Sequence, residues 1–501
     1  MKIKKLSKFA IIILCLCLIT GVSAFIYNAE HDYKINHGFM SVPLQFNPED
    51  SSSVYQIENA QIAVYGGFVK GLQKNMDGTE SLVIRALSPL PTITIKSGGA
   101  NSVSLILENI NPEFYAKSAA ASNLTMTKVT VNTLRVDNIN VNAGETIKIE
   151  PVQPMEAISM GLEKYVILGD NRDGYDTFAE IIQQVNGLNP VFVIDNGDLV
   201  FSGKPNQYRL FDKMASNIST TLCTTLGNHD IRANGREIYS MLYGPAYYSF
   251  DYANSHYVFL DSSPGWKQKQ AISDEQYAWL ERDLAKAQGK HLFVITHIPP
   301  EDPRSDVIPN DIPNLVNDVK TDDNFLEEKL NNYYETKNMN HGFSNPQEVE
   351  KFENLMSTYH VDTVYLSHIH SYMEYTKDGV RYMITGGAGA ELLTKNSYYH
   401  YMIAKIGDVN TTTMVELPSP TNNYISRYLE TVKLFAEAMY EENPVAVILV
   451  SMGFVTLLFL IVLRIYLWKQ EPIDTLGKWL NDTGKYAAKR FRELFNKKNS
   501  K

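Results

Sequence analysis

Five short apolar segments between residues 160 and 370 each run out into a cluster of Asp, Asn or His, and this constrains the fold more than any other feature of the sequence. Tyr165–Leu168 is followed by Gly169-Asp170, Val191–Ile194 by Gly197-Asp198, Thr221–Leu226 by Gly227-Asn228-His229-Asp230, Leu292–Thr296 by His297, and Val364–Leu366 by His368-Ile369-His370. Apolar runs of four to six residues rich in Val, Ile and Tyr read as strands. Between them lie helical patterns: Phe178, Ile181, Ile182, Val185 and Leu188 recur at 3.6-residue spacing, and helices are expected near Tyr208–Ala215, Asp274–Ala287 and Gln347–Tyr359. In the third, Ser273 is the expected N-cap and Gln276 its capping-box partner. Strands alternating with helices predict α/β layering, in which ligands collect at strand ends. Four of the eleven histidines and three Gly-Asp or Gly-Asn pairs fall at such ends. Carboxylate oxygens mixed with imidazoles suit Mn, Zn or Fe rather than Ca or a thiolate-seeking ion. In His368-Ile369-His370, residues i and i+2 of an extended chain point the same way and can reach adjacent ions.

In this order the motifs resemble the calcineurin-like metallophosphoesterase superfamily, which includes purple acid phosphatases and many phosphodiesterases; the resemblance spans about residues 160–400. It implies an α/β metallophosphoesterase fold of two packed mixed sheets flanked by helices, with two divalent or trivalent ions. By position, Asp198 matches the bridging aspartate, Asp170 and His370 match ligands of the first ion, and Asn228, His297 and His368 match ligands of the second. His229 matches the histidine beside the leaving group, with Asp230 orienting it. Tyr247–Tyr252 resembles a phosphatase segment but reads as core hairpin turning at Ala253-Asn254.

Three positions depart from the family pattern. Asp170-Asn171-Arg172 stands where Asp-x-His is usual, and a guanidinium has no lone pair for a metal, so the first ion loses a ligand; Arg172 either holds a phosphate oxygen or pairs with an acid. Phe201 replaces the tyrosine of purple members, which argues against a coloured iron site. Ser367 replaces the glycine before His-x-His, a small-for-small change. The implied chemistry is phosphoester hydrolysis by metal-activated hydroxide, with Arg172 offsetting charge on phosphate oxygens and His229 protonating the departing alkoxide. Mono- and diesters are not separated. The alternative is a surface binding or adhesion protein with a relic or structural metal site.

Ahead of this region, residues 40–155 show alternating strands at Gln61–Tyr65, Ser81–Arg85, Thr92–Lys96, Ser102–Leu107, Lys128–Asn132 and Thr146–Glu150. They predict an all-β sandwich with a spacer or binding role. Residues 298–345 form an acidic, proline-bearing insertion with one helix expected near Asn324–Tyr334, either solvated decoration or a lid.

The two ends point to a membrane. Lys2, Lys4, Lys5 and Lys8 precede the apolar run Phe9–Val22, so residues 1–24 read as a signal peptide or signal anchor. Val445–Leu463 holds no charge over 19 residues, nearly enough to cross a hydrocarbon core of about 30 Å. A transmembrane helix is expected over 445–467, preceded by a helical stalk at 424–443 and followed by a basic tail at 468–501. The basic flank after the run puts the tail in the cytoplasm and the catalytic region outside. Residues 1–24 carry +4 and 464–501 carry +6, so the −10 net charge leaves −20 between them. That acidity argues against nucleic acid as a partner and allows a small phosphoester. Of three cysteines, only Cys223 lies in a foldable domain, so no disulfide is expected there.

Overall fold

The computed structural model describes residues 39–75, 78–115, 124–152, 160–263, 270–306, 341–392, 397–407, 409, 411–418, 424–442, 444–467, 481–486 and 489. The expected signal segment, the helix expected near 324–334 and nearly all of the basic tail lie outside these residues. The chain divides into a larger unit, Asn28–Glu442, and a smaller one comprising Met1–Tyr27 and Asn443–Lys501.

The larger unit begins with strands β1 (Phe39–Ser41), β2 (Ser52–Ile57), β3 (Ala60–Tyr65), β4 (Gly67–Lys74), β5 (Glu80–Ala86), β6 (Thr92–Ser97), β7 (Asn101–Glu108), β8 (Thr125–Thr130), β9 (Thr133–Val141) and β10 (Thr146–Ile149). They form two sheets, β1-β4-β5-β7-β9-β8 and β10-β6-β3-β2. Alternation decides which side chains turn inward: Ile62 and Val64 of β3 and Ile93 and Ile95 of β6 pack with Leu82, Ile84, Leu105 and Val136 of the other sheet. The strand expected at 128–132 lies earlier, and β4 escapes the sequence pattern because Gly67 and Gly71 dilute its propensity. Gly71 is needed there, since a side chain would strike Phe39 and the Met40 carbonyl of β1.

The α/β part runs β11 (Lys164–Leu168), α1 (Tyr175–Leu188), β12 (Phe192–Asp195), α2 (Pro205–Ala215), β13 (Thr221–Thr224), α3 (Gly235–Leu242), β14 (Tyr248–Tyr252), β15 (Ser255–Leu260), α4 (Asp274–Lys286), β16 (His291–Thr296), α5 (Pro346–Thr358), β17 (Thr363–Leu366), β18 (Tyr372–Lys377), β19 (Val380–Thr385), β20 (His400–Lys405) and β21 (Thr413–Glu416). Its sheets have strand orders β13-β12-β11-β20-β21 and β14-β15-β16-β17-β19-β18, both with parallel and antiparallel pairs. They face one another across an aromatic core that includes Tyr165, Phe192, Tyr257, Phe293 and Tyr365. Helices α1, α2 and α3 cover the first sheet and α4 and α5 the second, giving helix, sheet, sheet, helix layers.

Ser273 caps α4 as expected, accepting a hydrogen bond from the Gln276 amide. The other half of the capping box is absent: the Gln276 side chain bonds both backbone groups of Asp261 instead, tying α4 to the end of β15. The segment expected as a stalk forms helix α6 (Tyr424–Glu442), but it does not stand free. Ala438 is buried, and Leu434 and Phe435 pack against the core under α1 and α2. Its apolar face has a partner within the larger unit.

In the smaller unit, Pro444–Leu467 is a backbone helix, α7, of 24 residues. Among the described residues no helix is long and apolar enough to cross a membrane. The side chains of residues 459–467 in α7 fall outside the described ones.

Candidate metal centre

The site lies at the carboxyl ends of β11, β12, β13, β16 and β17, where the chain turns sharply. Asp170, Asp198, His368 and His370 all have left-handed backbones, with φ of 57°, 56°, 70° and 41°. Such angles are uncommon outside glycine and cluster where geometry is functional. The preceding glycines are steric requirements. A Cβ on Gly227 would fall on the backbone nitrogen and carboxylate of Asp198, and one on Gly197, itself at φ 83°, would lie 2.8 Å from the Gly227 nitrogen and from His297 Nδ1. The Gly-Asp and Gly-Asn pairs thus let two strand-end loops approach within backbone contact.

Asp170, Asp198 and His370 bring ligand atoms within 4.8 Å of one another, and so do Asp198, His297 and His368. Asp198 belongs to both groups. Asn228 joins the second, with Oδ1 3.3 Å from His297 Nε2. The histidine tautomers are set by outer hydrogen bonds: His297 Nδ1 donates to the Asn196 carbonyl (2.7 Å) and His370 Nδ1 to the Glu391 carbonyl (2.6 Å). Each Nε2 is left as a lone-pair donor, 3.4 Å from Asp198 Oδ1 and 3.3 Å from Asp170 Oδ1. Asp170 Oδ2 accepts from Ser367 Oγ (2.6 Å) and the His368 amide (2.8 Å). Asp170 Oδ1 and Asp198 Oδ2 are buried with no hydrogen-bond partner, a cost of about 1–3 kcal/mol each that a cation would remove. The residues therefore fit metal ions. Burial would raise the Asp170 carboxyl, but His370 beside it holds it well below the usual range. Burial and the neighbouring His297 keep His368 neutral, as a ligand must be, whereas at His370 burial is outweighed by the Asp170 carboxylate, which raises the pKa and favours a proton that a bound cation would displace.

Arg172 is buried at this centre, its Nε 3.7 Å from Asp198 Oδ2 and its Nη2 3.2 and 3.3 Å from the Glu391 carboxylate. Both uses expected of it, a phosphate fork and a partner for an acid, are therefore geometrically open. His229 Nδ1 donates to the Phe201 carbonyl (2.6 Å), so its Nε2 is an acceptor, and Arg172 Nη1 (2.6 Å) and Arg232 Nη2 (2.8 Å) both reach that atom. Burial lowers His229 to about 4, with Arg172 and Arg232 adding to the effect against Asp198. The expected orienting role of Asp230 is not seen. Its Oδ1 accepts from the Val200 amide (3.0 Å) and its Oδ2 from the Gly227 amide (2.8 Å). Asp230 braces the loop, and the Phe201 carbonyl orients the imidazole. Ser367 is likewise more than a small filler, because its hydroxyl fixes Asp170.

Four site residues escaped the sequence reading. Glu391 follows Gly386-Gly387 beyond β19, a sixth strand end with a glycine signal. Arg232 lies two residues past the third cluster. Asn196 acts through its carbonyl, which no side-chain pattern reveals. His341, where the insertion rejoins the described chain, holds its ring 5.2 Å from that of His368, tilted by 53°. Tyr248–Tyr252 forms the core hairpin with β15, turning at Ala253.

Residues 163–372 match the sequence model of a family described as calcineurin-like phosphoesterase. A glycerophosphodiester phosphodiesterase, GpdQ, of Enterobacter lignolyticus is 30% identical over 131 residues, covering 24% of this chain and 47% of that protein. A probable cyclic nucleotide phosphodiesterase of Fibrobacter succinogenes is 27% identical over 108 residues, 21% of this chain and 40% of that one. The chain thus spans about half the length, or less, of these curated relatives. Among solved structures, a purple acid phosphatase, PPD1, from yellow lupin aligns over 71% of this chain and 76% of its own, at 14% identity and a TM-score of 0.39.

Proposed function

We propose, from the match of residues 163–372 to the calcineurin-like phosphoesterase model, that the whole chain is a metal-dependent hydrolase of small phosphomonoesters or phosphodiesters, anchored in a membrane with its catalytic part outside. One observation carries the catalytic reading: two buried ligand groups share Asp198, the arrangement that suits a pair of ions. Asp170, Asp198 and His370 would hold one ion; Asp198, Asn228, His297 and His368 would hold the other. Ions bound there supply charge neutralisation for phosphate oxygens and lower the pKa of water toward neutrality.

The chain's own residues do the remaining work. Arg172 offers N–H groups to a non-bridging oxygen in a buried setting where a charged hydrogen bond is strong. His229, with Nδ1 donating to the Phe201 carbonyl, keeps Nε2 3.9 Å from Asp198 Oδ2 as an acceptor; it would have to take up a proton there before giving one to a leaving oxygen, and its lowered pKa opposes that. The anchor rests on the uncharged Val445–Leu463 run, and the outward orientation on the basic residues that follow it.

Full-length protein in detergent, supplied with Mn or Zn, should hydrolyse members of a panel of aryl and nucleotide phosphoesters. Asp198→Asn should lower that activity by about a thousandfold or more, since both ligand groups lose a charge. Lack of turnover across the panel would overturn the enzymatic reading.

A further inference from the structure

The relation of two arginines to one phenylalanine bears on which phosphoester this site takes. The Arg172 guanidinium lies 5.2 Å and the Arg232 guanidinium 5.8 Å from the centroid of the Phe201 ring. The Phe201 carbonyl also accepts from Arg232 Nη1 (3.3 Å), so one residue positions both forks through its ring and its backbone. Both forks reach the imidazole of His229: Arg232 Nη2 lies 2.8 Å from Nε2, and Arg172 Nη1 lies 2.6 Å from Nε2 and 2.7 Å from Nδ1. Arg172 shares its charge with the buried Asp198, 3.7 Å from its Nε, and with Glu391, a side chain 44% exposed. Arg232 has no carboxylate within ion-pair distance among the described residues, and burial beside Arg172 lowers its pKa. Two guanidinium groups converging on one imidazole, next to a centre that would itself hold cations, present N–H groups that a multiply charged anion could share.

We propose that Arg172 and Arg232 form a two-guanidinium clamp for a terminal phosphate, so that this site selects the dianionic phosphomonoester over the diester. The proposal deepens the phosphoesterase reading above and rests on it for the position of phosphorus beside Asp198. A diester has two non-bridging oxygens and one charge, and satisfying the ions and Arg172 would use both oxygens. The third oxygen of a monoester, with its second charge, is what the Arg232 fork can accept. A diester would instead place a substituted oxygen there, with no charge to offer the Arg232 fork.

The test compares binding of inorganic phosphate and of dimethyl phosphate to the Mn-loaded full chain in detergent, by calorimetry above neutral pH, where free phosphate is the dianion. Phosphate should bind about tenfold tighter or more, as expected for one additional charge-assisted contact. Arg232→Gln should remove most of that difference and Arg232→Lys should restore part of it, with melting curves reporting that each variant is folded. In turnover, the kcat/KM ratio of para-nitrophenyl phosphate to its bis ester should fall about tenfold in Arg232→Gln. Equal affinity for the two anions, or equal weakening of both by Arg232→Gln, overturns the clamp. Rapid hydrolysis with the diester preferred also overturns it while leaving the phosphoesterase reading in place. Selective phosphate binding without turnover of either ester sinks that reading instead and leaves the clamp standing.

Discussion

The ligand residues were legible because metals demand particular donor atoms and strand ends are where an α/β fold gathers them: Asp170, Asp198, Asn228, His297, His368 and His370 converge in the structure. What the sequence could not reveal was the partner of each partner. Asp230 follows His229 directly, yet two backbone amides take its carboxylate, and nothing in a one-letter string distinguishes those uses. Burial first, then the nearby Asp198 charge, raise the Asp230 pKa. Asp230→Asn would turn N–H donors toward Val200 or Gly227, so it should lower stability by about 1–3 kcal/mol. A melting curve reads that loss; a shift in the pH profile of kcat at permissive temperature would show instead that Asp230 acts through His229. Ser367 makes the opposite case, a residue whose role exceeds its appearance. With its Oγ 2.6 Å from Asp170 Oδ2, Ser367→Ala should weaken metal retention about 10–100-fold, the usual range for losing such an outer hydrogen bond. Competition with a chelator would measure this, and unchanged retention would mean that the His368 amide alone holds the carboxylate.

Among the elements, the strands and helices with clean periodicity fell within a few residues of where the sequence put them, whereas β1, β2, β4, β9, α3 and the four strands β18 to β21 did not announce themselves. β4 carries two glycines. α3 is two turns long and begins at a glycine that lies against the Asp230 carbonyl, so tertiary contact rather than propensity fixes it. The β14–β15 hairpin and α4 show what such contact adds. His256 on β15 places Nδ1 2.7 Å from Asp251 of β14 and Nε2 2.9 Å from Asp283 of α4. Burial pulls His256 down, but hydrogen bonds to Asp251 and Asp283 and their charges outweigh it and raise the pKa to about 8. Lys290, 2.6 Å from Asp251 Oδ2, competes for one of these carboxylates. Because the folded value lies above the unfolded one, the stabilisation is complete below about pH 6.5 and fades as pH rises through about 8. At full strength it amounts to about 2 kcal/mol, from a shift of roughly one and a half units. Melting temperatures of wild type and His256→Gln should therefore differ at pH 6 and converge near pH 9; a gap that persists at pH 9 would mean that packing, not charge, holds the three elements.

For the whole molecule, the β-sandwich packs against the α/β layers rather than standing apart from them. Phe68 and Leu87, from the sandwich, pack in the aromatic core between the two α/β sheets. Asn109, after β7, donates to the carbonyls of Ala86 and Leu222 and accepts from the Leu222 amide, each at 2.9 Å. Its side chain thereby caps β13, the edge strand of the first α/β sheet, whose exposed backbone would otherwise need another partner. Trp279 of α4 donates to the Pro48 carbonyl (3.0 Å), and Glu49 pairs with Arg282 and Lys286. The buried contacts should dominate, because exposed ion pairs contribute little. An isolated Asn gives no signal of this kind in a sequence, since its bonds are to main-chain atoms, two of them 113 residues away. If the sandwich and the catalytic layers are one cooperative body, urea unfolding of the full chain should show coincident transitions by tryptophan emission and far-ultraviolet circular dichroism. Asn109→Ala would strand two buried backbone groups of Leu222 and should lower the common midpoint by the equivalent of about 3 kcal/mol. It should do so without altering metal retention, because Leu222 sits at the start of β13 while the ligand Asn228 lies beyond its far end. A sandwich that melts early and alone, with metal still bound to the remainder, would instead make it a separable module.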